Sequence, residues 1–180
     1  MLYMFLADGF EETEAIGALD VIRRAKIPVQ LVGVAGEYVT GSHGVEIKTD
    51  IRADEIDSFE MTGVILPGGM PGTKNLYASE IVCAAVKQCA ADGHLLAAIC
   101  AAPLIFGRLG LLRGKRATCF PGFEGELDGA EATGELVTTD GNIITARGAG
   151  AAMLFGAAIC DKLRGGGGKE ILAEMQHPEI

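Results

Sequence analysis

His94-Leu-Leu-Ala-Ala-Ile-Cys100-Ala-Ala-Pro103-Leu-Ile-Phe106 decides the fold. It reads as a short, wholly apolar strand that runs into a cysteine and then at once into a helix. This places one thiol at the carboxyl end of the strand and at the first helical turn, where unpaired backbone N–H groups point outward. Such a helix end stabilises an anion, so it is expected to favour the thiolate over the thiol. The competing reading is a small buried apolar residue at a strand terminus, which describes most free cysteines.

Working outward, apolar runs of strand length alternate with segments of helical period. Residues 2–7 form a first strand. A helix over 11–25 follows, apolar on its inner side at Ala15, Ile16, Leu19, Val21, Ile22 and Ala25. Asp8 is its expected cap, and Glu11, Glu12 and Glu14 crowd its first turn, where acidic charge is favoured. Residues 28–34 read as a second strand, and 38–50 as a hairpin turning at Gly41-Ser42-His43-Gly44. A buried strand over 63–66 ends in Pro67-Gly68-Gly69, and residues 79–91 read as a helix. Beyond the elbow, residues 117–120 read as a strand that ends in a Pro121-Gly122 turn. Strands over 135–139 and 142–146 are joined by Asp140-Gly141, a strong hairpin signal. Arg147-Gly148 opens a small-residue helix over 149–163. Gly165–Gly168 break it before a terminal helix over 169–175. Repeated β-α-β units predict an α/β fold, a mainly parallel sheet with helices on both faces. Sites in such folds form at the carboxyl ends of the strands, where Pro67-Gly68-Gly69, Cys100 and Arg147-Gly148 fall.

The bulk numbers fit one domain over 1–180. The chain has 180 residues, 49% of them hydrophobic, with 26 glycines for tight strand-to-helix turns. A chain of this size buries roughly 70% of its extended surface. The net charge of −9, with no basic run, argues against nucleic acid or an anionic membrane as the main partner. Five cysteines without a C-x-x-C pair or metal-ligand spacing point to a reducing compartment. Residues 1–7 lack the flanks of a signal peptide and no stretch has the length of a membrane span, so a cytoplasmic location is expected.

Catalysis at Cys100 needs a proton partner and donors for a developing oxyanion. The amides of Gly68, Gly69 and Ala101 are candidate donors. The Gly-Gly pair reads equally as a tight turn needing positive φ. Of the three histidines, His94 starts the elbow strand, roughly 20 Å from Cys100 at about 3.3 Å per residue. His43 lies at a hairpin tip and His177 in the tail, and all three read as solvated surface residues. The acidic first turn is the other source of a partner. One of Glu11, Glu12 and Glu14 can lean over the sheet edge, protonated by desolvation; residue pattern alone does not choose among them.

Asp8-Gly9-Phe10-Glu11-Glu12-Thr13-Glu14, Asp20-Val-Ile-Arg-Arg24, Leu66-Pro67-Gly68-Gly69, Ala97-Ala98-Ile99-Cys100-Ala101-Ala102-Pro103 and Thr145-Ala-Arg147-Gly148 together resemble the ThiJ/PfpI superfamily. The likeness is greatest to the branch that contains the Parkinson-disease-associated protein deglycase. The resemblance runs from Met1 to about Met175. It implies a flavodoxin-like three-layer sandwich with a nucleophile elbow, a homodimer, and Glu14 as the acid hydrogen-bonded to the nucleophile Cys100. That branch is associated with glutathione-independent glyoxalase and protein or nucleotide deglycation activities. It is also associated with oxidative-stress sensing through cysteine sulfinic acid, and with chaperone and thiamine-biosynthesis labels.

Two positions depart from the pattern. The best-known member has a histidine after the elbow, within Thr-His-Pro; here the place reads Thr118-Cys119-Phe120-Pro121, and Phe120 holds the histidine's position. Ala102 stands where that member has glycine. Peptide or amide hydrolysis needs a general acid for a poor leaving amine, so Phe120 weighs against an amidase or protease. Adding a thiolate to an aldehyde needs mainly the thiolate and a stabilised alkoxide. The first functional expectation is therefore a cofactor-independent enzyme acting on small reactive dicarbonyls or their adducts, with no metal and no organic cofactor. The second is a redox sensor or chaperone read out through oxidation of Cys100.

Overall fold

The structure, a computed structural model, describes residues 1–178; the last two residues of the expected 1–180 domain lie outside them. The strands are β1 (Leu2–Leu6), β2 (Val29–Gly33), β3 (Tyr38–Thr40), β4 (Glu46–Lys48), β5 (Ile51–Arg52), β6 (Gly63–Leu66), β7 (Leu95–Ile99), β8 (Arg116–Ala117), β9 (Glu131–Ala132), β10 (Val137–Asp140) and β11 (Ile143–Ala146). The helices are α1 (Glu12–Arg24), α2 (Gly72–Ala78), α3 (Glu80–Ala91), α4 (Pro103–Arg108), α5 (Ala152–Arg164) and α6 (Gly168–Glu174).

Seven strands form one sheet in the order β10-β11-β7-β6-β1-β2-β5. Every pairing is parallel except the hairpin β10–β11, which turns at Gly141-Asn142, one residue past the expected Asp140-Gly141, because Asp140 stays in the strand and pairs with Ile143. Successive strand side chains point to opposite faces, and both faces are covered. Met4, Leu6, Ile65, Ala97 and Ile99 pack with α1, α5 and α6. Phe5, Val64, Leu66, Leu96 and Ala98 pack on the other side with α3 and α4. Burial on both faces is why these strands read as continuous apolar runs. β7 lies between β6 and β11, so Cys100 at its carboxyl end touches both cores.

Several boundaries differ from the sequence reading for local reasons. Asp8 does not cap α1: its carboxylate accepts from Thr40 N–H, while Glu11 caps the helix by accepting from Glu14 N–H at 2.7 Å. The expected 117–120 strand shrinks to β8, which pairs with β9 in a separate two-stranded sheet. A 3₁₀ turn over Ala149–Ala151 precedes α5. Among the described residues no helix is long and apolar enough to cross a membrane.

The small residues of α5 serve contact with α1 in the same chain. A methyl on Gly156 would lie 2.9 Å from Val21 Cβ and 3.0 Å from the Ala18 carbonyl oxygen. The Ala18 atom is backbone and cannot rotate away. Gly156→Ala is therefore expected to cost about 1–3 kcal/mol of overpacking despite alanine's better helix propensity. Urea unfolding checks this, and a variant as stable as the parent would show that the helices part freely.

Candidate active site

The elbow is a sharp turn with left-handed backbone. Cys100 has φ of 65°, a region costly for any residue with a side chain. Its N–H donates to Ala146 O and its carbonyl accepts from Phe120 N–H, both at 2.8 Å. These bonds fix the turn between β11 and the segment after α4. The thiol is half-buried.

Glu14 is the carboxylate brought to this point. It sits in the first turn of α1 on the face that carries Ala18, Val21 and Ile22, and is 1% exposed. Its neighbours Glu11 and Glu12 are only half-buried. The helical phase sets aside only Glu12, because positions 11, 14, 18, 21 and 22 lie on one stripe. Burial pushes Glu14 up to about 7, against the opposing pull of hydrogen bonds from Cys100 and the Gly68 amide, with Glu11 adding to the rise.

Gly68 joins the two groups. A methyl there would lie 2.6 Å from Cys100 Cβ and 2.7 Å from Glu14 Oε2, so no side chain fits. The Gly68 amide donates to Glu14 Oε2 at 2.8 Å, so it orients the carboxyl and is not free for an oxyanion. The amides of Gly69 and Ala101 instead point to the Cys100 sulfur. At Gly69, with φ of 88°, a methyl would lie 2.5 Å from Glu11 N and from Gly9 O, so only glycine fits. Gly68→Ala is expected to separate thiol from carboxyl and to cost about 1–3 kcal/mol. Thermal unfolding and the rate of thiol alkylation check both effects, and an unchanged alkylation rate would refute the first.

The thiol titrates differently from the simple helix-end expectation. Burial, then the Glu14 charge and its hydrogen bond, push Cys100 up to about 12; the Gly69 and Ala101 amides pull the other way. α4 starts only at Pro103 and has six residues, so it supplies a short dipole set back from the sulfur. The two groups therefore titrate as a pair. When Glu14 is protonated, its repulsion is gone and its O–H can donate toward sulfur.

The histidines stand apart from the thiol's first partners. His43 is exposed and binds Glu12, Nδ1 to Oε2 at 2.8 Å. That contact raises His43. Burial opposes the fall of Glu12, but the His43 ring and backbone N–H groups hold it down at about 2. His94 and His177 are half-buried rather than solvated. Glu11, Glu12 and His43 place one ligand atom each within 4.8 Å of one another. This is the one such group among the described residues; Glu11 is engaged as the helix cap, and Glu12 and His43 with each other. Cys119 is buried and Phe120 is 48% exposed.

A parallel α/β sheet with a cysteine at a strained strand-to-helix elbow, beside a buried carboxyl, defines a family-scale architecture. Residues 1–162 match the DJ-1/PfpI family, and the chain belongs to it. It is 37% identical over 165 residues to protein dj-1beta of Drosophila melanogaster, covering 90% of this chain and 88% of that protein. It is 32% identical over 143 residues to a deglycase of Thermococcus kodakarensis, covering 78% of this chain and 86% of that one. Protein DJ-1 homolog B of Arabidopsis thaliana is 36% identical over 162 residues, 89% of this chain, which spans only 37% of that protein's length. Among solved structures, oxidized DJ-1 of Toxoplasma gondii superposes with a TM-score of 0.92 at 30% identity, covering 97% of each chain. The flavodoxin-like fold is thus established.

Proposed function

We propose that this protein is a DJ-1-type stress-response enzyme of deglycase or glyoxalase character, acting without a cofactor on reactive α-dicarbonyls or their early adducts. The observation that carries the reading is the contact of Cys100 with the buried, readily protonated Glu14 over Gly68. The deglycase name of the Thermococcus relative supports the substrate class. In this reading Glu14 takes the thiol proton as Cys100 sulfur adds to the aldehyde carbon, and the carbonyl electron pair becomes an alkoxide that takes that proton back from Glu14, leaving the carboxylate. Gly69 and Ala101 N–H groups face that charge. Glu14 then takes the proton from the former aldehyde carbon and returns it to the adjacent carbon, leaving a thioester. Water releases a 2-hydroxy acid and restores the thiol. The sum is an oxoaldehyde plus water giving a hydroxy acid, with no external oxidant or reductant. Freshly reduced protein is expected to convert methylglyoxal to lactate without glutathione. Turnover no faster than buffer would sink the reading.

A second reading is favoured by the same pair. A carboxyl able to hold a proton near neutral pH can donate to a sulfinate oxygen on Cys100 and stop oxidation there. Mild peroxide followed by mass mapping is expected to modify Cys100 ahead of buried Cys89, Cys119 and Cys160. Uniform oxidation of all five cysteines would count against a sensor role. The five free thiols support a reducing, cytoplasmic setting for either reading. We propose a homodimer as well. Ile16 and Met153, each 38% exposed on neighbouring elements, supply uncovered apolar surface for it; sedimentation as a monomer at micromolar concentration would overturn this.

A further inference from the structure

Between Phe120 and the turn leading into α5 lies a pocket of about 550 Å³, lined by Phe120, Pro121, Leu136, Arg147 and residues 148–151. Both of its walls start at the nucleophile. One begins at Phe120, whose N–H donates to Cys100 O. The other follows Ala146, whose carbonyl accepts from Cys100 N–H. The Phe120 ring is held edge-on to Phe123, with centroids 6.5 Å apart and planes at 76°. It also lies close over the opposite wall: a methyl on Gly148 would sit 3.3 Å from its Cδ2. Phe120 and Leu136 are 48% and 44% exposed, so two large apolar side chains line the pocket half uncovered.

Ligand pockets of this make-up take the apolar part of a small molecule, with a few polar groups fixing its orientation. The single methyl of methylglyoxal covers little of such a wall, whereas a flat ring can lie against Phe120 in an offset or edge-on arrangement. Arg147 is the one charged side chain of the lining and is exposed, and a cationic substituent would meet its like charge.

We propose that this pocket holds the non-reacting substituent of the substrate, and that Phe120 makes the enzyme selective for α-oxoaldehydes bearing a flat apolar group, the arylglyoxals, over methylglyoxal. Phe120 here is a specificity-determining residue and moves no proton. The inference rests on the reading of Cys100 as the carbonyl-attacking nucleophile, and the chemistry stays as written above with an aryl group in place of the methyl.

The test compares kcat/KM for phenylglyoxal and methylglyoxal in the parent protein, Phe120→Ala and Leu136→Ala. Taking the ratio of the two substrates cancels effects common to both. The phenylglyoxal-to-methylglyoxal ratio is expected to fall about tenfold in Phe120→Ala, the scale of a lost apolar contact in a substrate pocket. In Leu136→Ala it is expected to fall in the same direction. A ratio unchanged in both variants overturns the proposal. Calorimetric binding of mandelate and lactate, the corresponding hydroxy acids, gives a readout independent of turnover. Mandelate is expected to bind more tightly than lactate, and Phe120→Ala to erase the difference. If neither aldehyde is turned over, the dicarbonyl reading fails. The aryl pocket then stands on the mandelate preference, or falls with equal binding of the two acids.

Discussion

Cys100→Ser is expected to reduce glutathione-independent turnover of methylglyoxal to the uncatalysed rate, a loss of about a thousandfold or more for removal of a nucleophile. Serine keeps the size and the hydrogen-bonding capacity of the side chain. Its hydroxyl is a far weaker nucleophile, and among the described residues the side chain that bonds it is the Glu14 carboxyl, not an imidazole. A residual rate within tenfold of the parent would place the chemistry at another residue. The same position carries a stability signature. With φ of 65°, Cys100 occupies left-handed backbone that costs roughly 1–2 kcal/mol for a residue with a Cβ. Glycine relieves this cost but gains unfolded-state entropy. Cys100→Gly is therefore expected to be more stable than Cys100→Ala by about 1 kcal/mol, although both are inactive. Chemical denaturation of the two variants measures the strain directly. Equal stabilities would mean that the elbow is relaxed. A protein that retains a strained backbone at one side chain, where glycine would hold the turn more easily, is retaining it for that side chain.

The sequence already showed the sheet, because strands buried on both faces have to be apolar at consecutive positions. Residues 2–7, 63–66 and 95–99 could scarcely be anything else. Asp140-Gly141 announced the antiparallel hairpin, although the turn itself falls one residue later, at Gly141-Asn142. What stayed hidden was whatever depends on partners distant in sequence. β5 is two residues long and exists because Ile51 and Arg52 pair with Val32 and Gly33. α2 opens at Gly72 after Pro71, a poor helix start by composition. It is anchored by Gly72 N–H donating to Gly9 O, 63 positions away in the chain by subtraction of residue numbers.

The site divides in the same manner. Cys100 could be found from the strand-to-helix junction. The family resemblance singles out Glu14, since the helical phase of α1 sets aside Glu12 but leaves Glu11 on the same stripe. Gly68 was expected to supply an oxyanion donor; its amide is taken by Glu14, a pairing between residues 54 apart that no local pattern encodes. The absence of histidine at Phe120 was plain from the residues. That the substituted ring walls a pocket tied to the nucleophile required the fold.

Glu14→Gln is expected to lower kcat by about 10²- to 10⁴-fold, the range for loss of a general acid–base group, while making the protein more stable above neutral pH. The two effects have one cause. Glu14 titrates at about 7 in the folded protein against 4.5 as the ordinary value, with burial as the largest cause. Between these values the native state holds a proton that the unfolded chain has released. Stability therefore falls as pH rises through this window. The contribution is fully present below pH 4.5 and lost above about 7; at about 1.36 kcal/mol per unit, the swing is roughly 3 kcal/mol. Glutamine has no charge to bury, and its amide oxygen can still accept from Gly68 N–H, so its stability lacks this swing. Other carboxylates titrate alike in both proteins and cancel in the difference. Urea unfolding at pH 4.5, 6 and 8 is thus expected to show the variant gaining on the parent by roughly 3 kcal/mol across the series. A constant difference would mean that Glu14 is ionised throughout, and with it would go the protonated carboxyl on which sulfinate capture depends. Gain of stability together with loss of turnover separates a proton carrier from a packing residue, since replacing a residue that only packs does not produce both.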